Sequence, residues 1–125
     1  MRLTLIVAAA GFLGAGLRYA IGVALPESGN GQMPWATLIV NLSGSLLLGW
    51  LTGIASRRKL PAWLTEAAGT GFLGAFTTFS AFSAQWISLM GQGHFLIALL
   101  YTALSGGLGA GLAFAGWHWG RGRPQ

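Results

Sequence analysis

From Ala67 to Gly120 the chain carries no Asp, Glu, Lys or Arg, and two other stretches, Leu3 to Leu17 and Ser28 to Ser56, are equally bare of charge. A bilayer core about 30 Å thick is crossed by about 20 apolar residues in a helix. The longest stretch therefore has room for two passes. Composition agrees: 54% of the 125 residues are hydrophobic, only 7% are charged, and the mean hydropathy is +0.63. A soluble domain of this size does not have that balance, so the chain reads as an integral membrane protein in contact with the lipid bilayer.

Several function classes fall away at once. The pI of about 11.4 comes from two acids, Glu27 and Glu66, against seven bases, not from a dense basic patch, so nucleic-acid binding is not expected. With no cysteine there is no disulfide, thiolate metal site or thiol nucleophile. His94 and His118 fall at span ends without partners at nucleophile or metal spacing, so no enzyme is expected. The opening Met1-Arg2 followed by an apolar run imitates a signal peptide. Its apolar character continues to Leu25 and it carries a patterned polar stripe, so it is read as a first membrane helix.

One membrane domain over residues 1–125 is expected, with helices at about 3–24, 35–56, 62–90 and 95–119. A loop rich in turn formers, Leu25 to Pro34, follows the first helix, and Pro61 is placed to open the third. Gly91-Gln-Gly-His94 interrupts the last uncharged stretch, and Trp117 and Trp119 suit an interface. Four spans put Arg2, Arg57, Arg58, Lys59, Arg121 and Arg123 on one side and no Lys or Arg in the loops of the other. By the positive-inside rule that side is cytoplasmic.

The spans carry polar residues at helical spacing. Gly11, Gly14, Arg18 and Gly22 share a face of the first helix. Arg18 either snorkels to a surface as an anchor or serves a functional site, since a charge in a membrane helix is costly. Thr37, Asn41, Ser45, Gly49 and Gly53 recur every four residues along the second helix. Asn41 is either a bond between helices or a donor to an anion.

The third helix holds Gly69-Thr-Gly-Phe-Leu-Gly-Ala-Phe-Thr-Thr-Phe-Ser-Ala-Phe-Ser83, poor material for a regular helix. A break near Gly74 to Thr78 is expected, and broken backbone in a bilayer survives only where protein buries it or a cavity is lined. Phe79 and Phe82, at i and i+3, are either packing or positive ring edges facing an anion. Tyr101 and Ser105 extend a polar track along the fourth helix, beside Gly106, Gly107, Gly109 and Gly111. Donors, ring edges and one arginine, with no carboxylate inside a span, suit a dehydrated anion better than a cation or a proton-coupled load.

Three motifs, Gly11-Phe-Leu-Gly-Ala-Gly-Leu-Arg-Tyr19, Asn41-Leu-Ser-Gly44 and Gly71-Phe-Leu-Gly-Ala-Phe-Thr-Thr-Phe-Ser-Ala-Phe82, resemble the Fluc (CrcB) fluoride channels over all four helices in order. The resemblance implies an all-α membrane protein, four transmembrane helices with a break in the third, forming an antiparallel, dual-topology dimer that encloses two fluoride pores. It implies a passive channel in a bacterial cell (inner) membrane that exports cytoplasmic fluoride and so limits its toxicity. It further implies a structural, non-transported Na+ held by the backbone carbonyls of Gly74 and Thr77. Along the fluoride pathway it implies Asn41, Phe79, Ser80, Phe82, Tyr101 and Ser105, with Arg18 at the vestibule.

Ala75, Ala81 and Gln85 depart from the family's usual glycine, threonine and glutamate. The Lys/Arg bias leaves two partners open, an inverted identical copy or an oppositely oriented paralogue. Two other function classes remain. A small multidrug-type four-helix exporter would use a membrane-embedded glutamate, whereas a non-transporting assembly protein would use the small residues only for packing.

Overall fold

A computed structural model of the protein describes residues 1–27 and 29–122. Ser28, where one uncharged stretch begins, and Arg123, one of the bases in the charge bias, lie outside the described residues. Among the described residues all regular structure is helical. Helix α1 is Arg2–Ala24, α2 is Trp35–Ala55, α3 covers residues 62–76, α4 is Phe79–Gly91 and α5 is Phe95–Arg121.

Three of these, α1, α2 and α5, are long and apolar enough to cross a membrane, with 23, 21 and 27 residues. At about 1.5 Å per residue, α1 extends roughly 34 Å. Large apolar side chains on its surface, including Phe12 at 79% and Leu5 at 64% exposure, have no protein cover within the chain. Such a surface is ordinary against lipid and costly against water.

The helix expected to break does so between α3 and α4. Thr77 (φ −76°, ψ 157°) and Thr78 (φ −147°, ψ 124°) are extended, and the helix restarts at Phe79. Thr78 caps the restart, its Oγ1 accepting from Ala81 N at 3.2 Å. The sequence explains this locally, because two β-branched threonines follow a glycine-rich run and the second can supply a cap.

Glycines let the helices meet backbone to backbone. A Cβ on Gly14 would land on the Phe72 carbonyl, which seals α1 against α3, while Gly71 returns the contact beside Val7 O. In the α2–α5 seam, Gly49 and Gly53 of α2 face the carbonyls of Ala113 and Trp117, and Gly116 and Gly120 of α5 face those of Leu46 and Trp50. The helical period of four observed on α2 thus meets a matching period on α5, the small-residue packing that membrane helices use.

Two segments depart from α-helical winding. Residues Glu66–Leu73 within α3 and Leu104–Leu108 within α5 are π-helical. The sequence reading expected a regular helix at 95–119. Ser105-Gly106-Gly107 supplies little side-chain packing to hold the tighter α-helical turn, and such wide turns are frequent at functional positions.

The ends of the bundle are chemically distinct. Arg57 Nη1 donates to the Arg121 carbonyl, and the Arg121 guanidinium lies 4.4 Å from the centre of the Trp117 ring. The α2–α3 connection therefore meets the end of α5, which gathers bases at one end. At the other end the His94 ring packs against Gly31, joining the α1–α2 and α4–α5 connections.

Candidate functional site: a cleft around the helix break

The motif Asn41-Leu-Ser-Gly44 has a direct structural use. Three residues apart on α2, Asn41 and Gly44 face the same way and meet the two consecutive residues of the break. Asn41 Nδ2 donates to Thr78 O at 2.9 Å, and Asn41 Oδ1 accepts from Thr78 N at 2.8 Å. Gly44 leaves room for the methyl group of Thr77, which a Cβ there would strike. Both backbone groups of Thr78, which the break removes from the helical ladder, are thus satisfied by one side chain. One N–H of the Asn41 amide remains uncommitted by these bonds.

The bracing has a consequence for neighbouring carbonyls. Thr78 N would reach Gly74 O in an unbroken helix and goes to Asn41 instead. Ala81 N would reach Thr77 O and goes to the Thr78 hydroxyl. Gly74 and Thr77 carbonyls therefore lose their regular helical donors, and both residues line the same cleft. Carbonyl oxygens of this kind suit a hard cation. Among the described residues no cluster of three His, Cys, Asp or Glu offers an alternative ligand set.

That cleft has a volume of about 570 Å³ and is walled by α2, α3, α4 and α5. Asn41, Gly74, Thr77, Phe79, Phe82 and Ser105 all line it. Both π-helical segments contribute as well, Gly69 and Leu73 from the first and Ser105 and Gly106 from the second. Phe79 and Phe82 stack with ring centres 5.9 Å apart, Phe79 being 80% exposed. The Phe82 ring leans in turn on Tyr101, centres 4.8 Å apart at 46°. Ser105 Oγ is buried without a hydrogen-bond partner.

The remaining sequence-derived residues lie elsewhere. Tyr101 is fully buried behind Phe82, its hydroxyl donating to Gln85 Oε1 at 2.7 Å. Ser80 sits beside the break with its hydroxyl 3.2 Å from that of Thr78. Arg18 lines a separate cavity of about 260 Å³ with Gly22, Glu27, Thr37, Thr78 and Gln85, and its Nε is buried and unpartnered.

Sequence reasoning left Thr78, Glu27 and Thr37 out of the candidate site. Thr78 lines both cavities and caps α4. A hydroxyl residue just before a resumed apolar helix is a recognisable cap signal. Glu27 and Thr37 gave no such signal, because they meet Gln85 only through the tertiary fold, 58 and 48 residues away in sequence.

Apolar helices sealed by glycines, with a braced break opening on a cleft, define a helical membrane protein. Residues 5–117 match the family described as "CrcB-like protein, Camphor Resistance (CrcB)". The chain is 45% identical over 107 residues to "Fluoride-specific ion channel FluC 2" of Geobacillus kaustophilus, covering 83% of each chain. It is 48% identical to "Fluoride-specific ion channel FluC 1" of Bacillus cereus, covering 83% of this chain and 78% of that one. It is 40% identical over 118 residues to "Fluoride-specific ion channel FluC" of Oceanobacillus iheyensis, covering 93% and 89%. The chain belongs to the CrcB/FluC family, as its three motifs led one to expect. That is a family of channels and not of enzymes.

Proposed function

We propose that the protein is a passive, fluoride-selective channel that releases cytoplasmic fluoride across a bacterial cell (inner) membrane. The observation that carries this reading is the cleft at the break, where donors without partners, ring edges and a helix start coincide. Fluoride holds its water tightly, so a pore must replace that water with closely spaced donors. Ser105 Oγ and the uncommitted Asn41 N–H supply such donors, the Phe79 and Phe82 rings offer positive edges, and α4 begins its dipole at Phe79. Tyr101 and Ser80 extend the track, with Arg18 drawing anions into the adjoining cavity. The names of the relatives at 40–48% identity support fluoride as the permeant ion.

The cleft is open along one side of a single chain, so a second subunit is required to enclose it. In this reading the partner is antiparallel and the dimer holds two pores. The carbonyls of Gly74 and Thr77 from each subunit would hold a structural Na+, whose fixed charge at the dimer axis would favour anions nearby. The broken helix supplies the fourth crossing, and the basic end faces the cytoplasm. The bias that sets this orientation leaves two partners open, an inverted identical copy or an oppositely oriented paralogue.

Efflux from proteoliposomes containing only this chain tests the function. Fluoride should leave and chloride should stay; chloride passing equally well overturns the selective-channel reading. Labelling of single loop cysteines in cells expressing only this chain tests the partner. A single orientation excludes the antiparallel homodimer and requires a second gene product.

A further inference from the structure

Glu27, in the α1–α2 connection, is drawn into the side of the bundle. Its Oε2 accepts from Gln85 Nε2 at 2.6 Å and its Oε1 from Thr37 Oγ1 at 3.4 Å. Gln85 Nε2 also donates to Thr37 Oγ1 at 2.9 Å, and Gln85 Oε1 accepts from Tyr101. The three side chains close a ring in which both Gln85 N–H bonds and the Thr37 O–H are spent on one another and on the carboxylate. Only an amide at position 85 permits this, since a carboxylate there has no proton to give and would repel Glu27.

The ring lies where two cavities meet. On its outer side is a cavity of about 270 Å³ under the α1–α2 connection, lined by Pro26, Gln32, Trp35, Ser88 and Gln92 among others. On its inner side is the cavity containing Arg18, Thr78 and Ala81. Glu27 and Gln85 belong to both. Thr78 then connects the inner cavity with the cleft holding Asn41, Phe82 and Ser105. A route from the Glu27 end of the bundle to the cleft therefore crosses the Glu27–Gln85 bond and passes the unpartnered Nε of Arg18.

We propose that Glu27 is a latch on the anion route, an intramolecular carboxylate that occupies the donors of Thr37 and Gln85 in place of an entering anion. The proposal rests on the channel reading above and names how access to that same site is regulated. An ionised carboxylate blocks in two ways, by filling the donors and by repelling like charge. Glu27 is itself exposed, so its carboxylate exchanges these bonds for water at small net cost. The latch is accordingly a shallow one.

Two substitutions separate occupancy from charge. Glu27→Ala removes both, whereas Glu27→Asp keeps the charge on a side chain one methylene too short to reach Gln85. In proteoliposomes, Glu27→Ala is expected to raise fluoride efflux about tenfold, the size of one charge-assisted hydrogen bond, and Glu27→Asp is expected to raise it by less. Efflux in Glu27→Ala at or below the wild-type rate overturns the latch, and so does Glu27→Asp behaving as wild type.

A second readout does not depend on fluoride conduction. The chain has no cysteine, so Ala81→Cys puts a single thiol in the inner cavity. A small anionic thiol reagent should modify it about tenfold faster when Glu27→Ala is added. An unchanged modification rate sinks the latch even if the chain conducts, whereas faster modification upholds the latch whether or not this chain alone releases fluoride; the channel reading falls separately, if chloride passes as readily as fluoride.

Discussion

Helix α2 meets its surroundings in two different ways. Over its C-terminal half, Gly49 and Gly53 press on the α5 backbone at Ala113 and Trp117, and α5 answers with Gly116 and Gly120. Two turns earlier, Asn41, Gly44 and Ser45 carry the same small and polar character yet border an open cleft. The seam spends its small residues on contact within the chain. The cleft spends only part of them, on bracing Thr77 and Thr78, and leaves donors over. Spacing alone does not distinguish the two uses, since both halves repeat every four residues; what distinguishes them is whether the facing helix is wound to approach. Opposite the cleft, α5 is π-helical at Leu104–Leu108, and opposite the seam it is α-helical.

The comparison is broken most severely at the seam. Gly116→Leu puts a side chain where the Leu46 carbonyl and Trp50 amide already stand, and neither is a flexible tip that can yield. A loss of about 3 kcal/mol or more is expected, above the usual range for overpacking because backbone is struck. Gly107→Ala, with nothing within 4 Å of its new methyl, is expected to change stability by less than about 1 kcal/mol. Thermal unfolding in detergent, followed by size-exclusion retention, measures both. Equal losses would mean that the seam is no tighter than the exposed face of α5 at Gly107.

Asn41→Leu attacks the bracing instead. It strands Thr78 N–H and C=O together, and two interhelical hydrogen bonds within a bilayer protein together contribute about 2 kcal/mol. The expected result is a less stable chain whose hydrogen exchange accelerates at Thr77 to Ala81 before anywhere in the seam. Uniform acceleration would show the break and the seam to be one cooperative unit.

These two regions also differ in how far the sequence revealed them. The break was legible because glycines followed by paired threonines and phenylalanines contradict every helical preference at once. The seam was legible as a face, Thr37 to Gly53, although its partner residues on α5 were not, because Gly116 and Gly120 look no different from Gly106 and Gly107. Asn41 was read with two uses, and the structure displays the bond to Thr78 explicitly. Tyr101, grouped with the pathway residues, stands behind the cleft, and Arg18, assigned to the vestibule, lines the cavity beside it. A helical wheel gives direction around one axis and says nothing about which of two cavities that direction meets. The Glu27 ring was beyond reach for the same reason, being made by three elements.

A milder change tests the cleft's rings. Phe82→Ile retains apolar bulk against Tyr101, so the fold should lose less than about 1.5 kcal/mol. Fluoride efflux should fall about fivefold through the loss of a positive ring edge, taking about 1 kcal/mol as the worth of an aromatic contact. Normal efflux in a well-folded Phe82→Ile protein would return both rings to packing.

The smallest change is the most discriminating, because only the cleft description gives it an effect on efflux. Ser105 Oγ is buried and has no partner within the chain. If its role were packing, as for the seam glycines, Ser105→Ala would remove an unsatisfied polar atom and leave efflux untouched. If the hydroxyl waits for an anion, the same substitution removes one hydrogen bond from the permeating ion, about 1 kcal/mol or roughly a fivefold loss of efflux. Stability should hold or rise slightly in either case, since deleting a stranded hydroxyl relieves its desolvation cost. Stability and efflux moving apart in Ser105→Ala would therefore mark the hydroxyl as part of the pathway. A fall in both would mean that Ser105 has a structural partner in the assembled protein, and the cleft would then be a second seam.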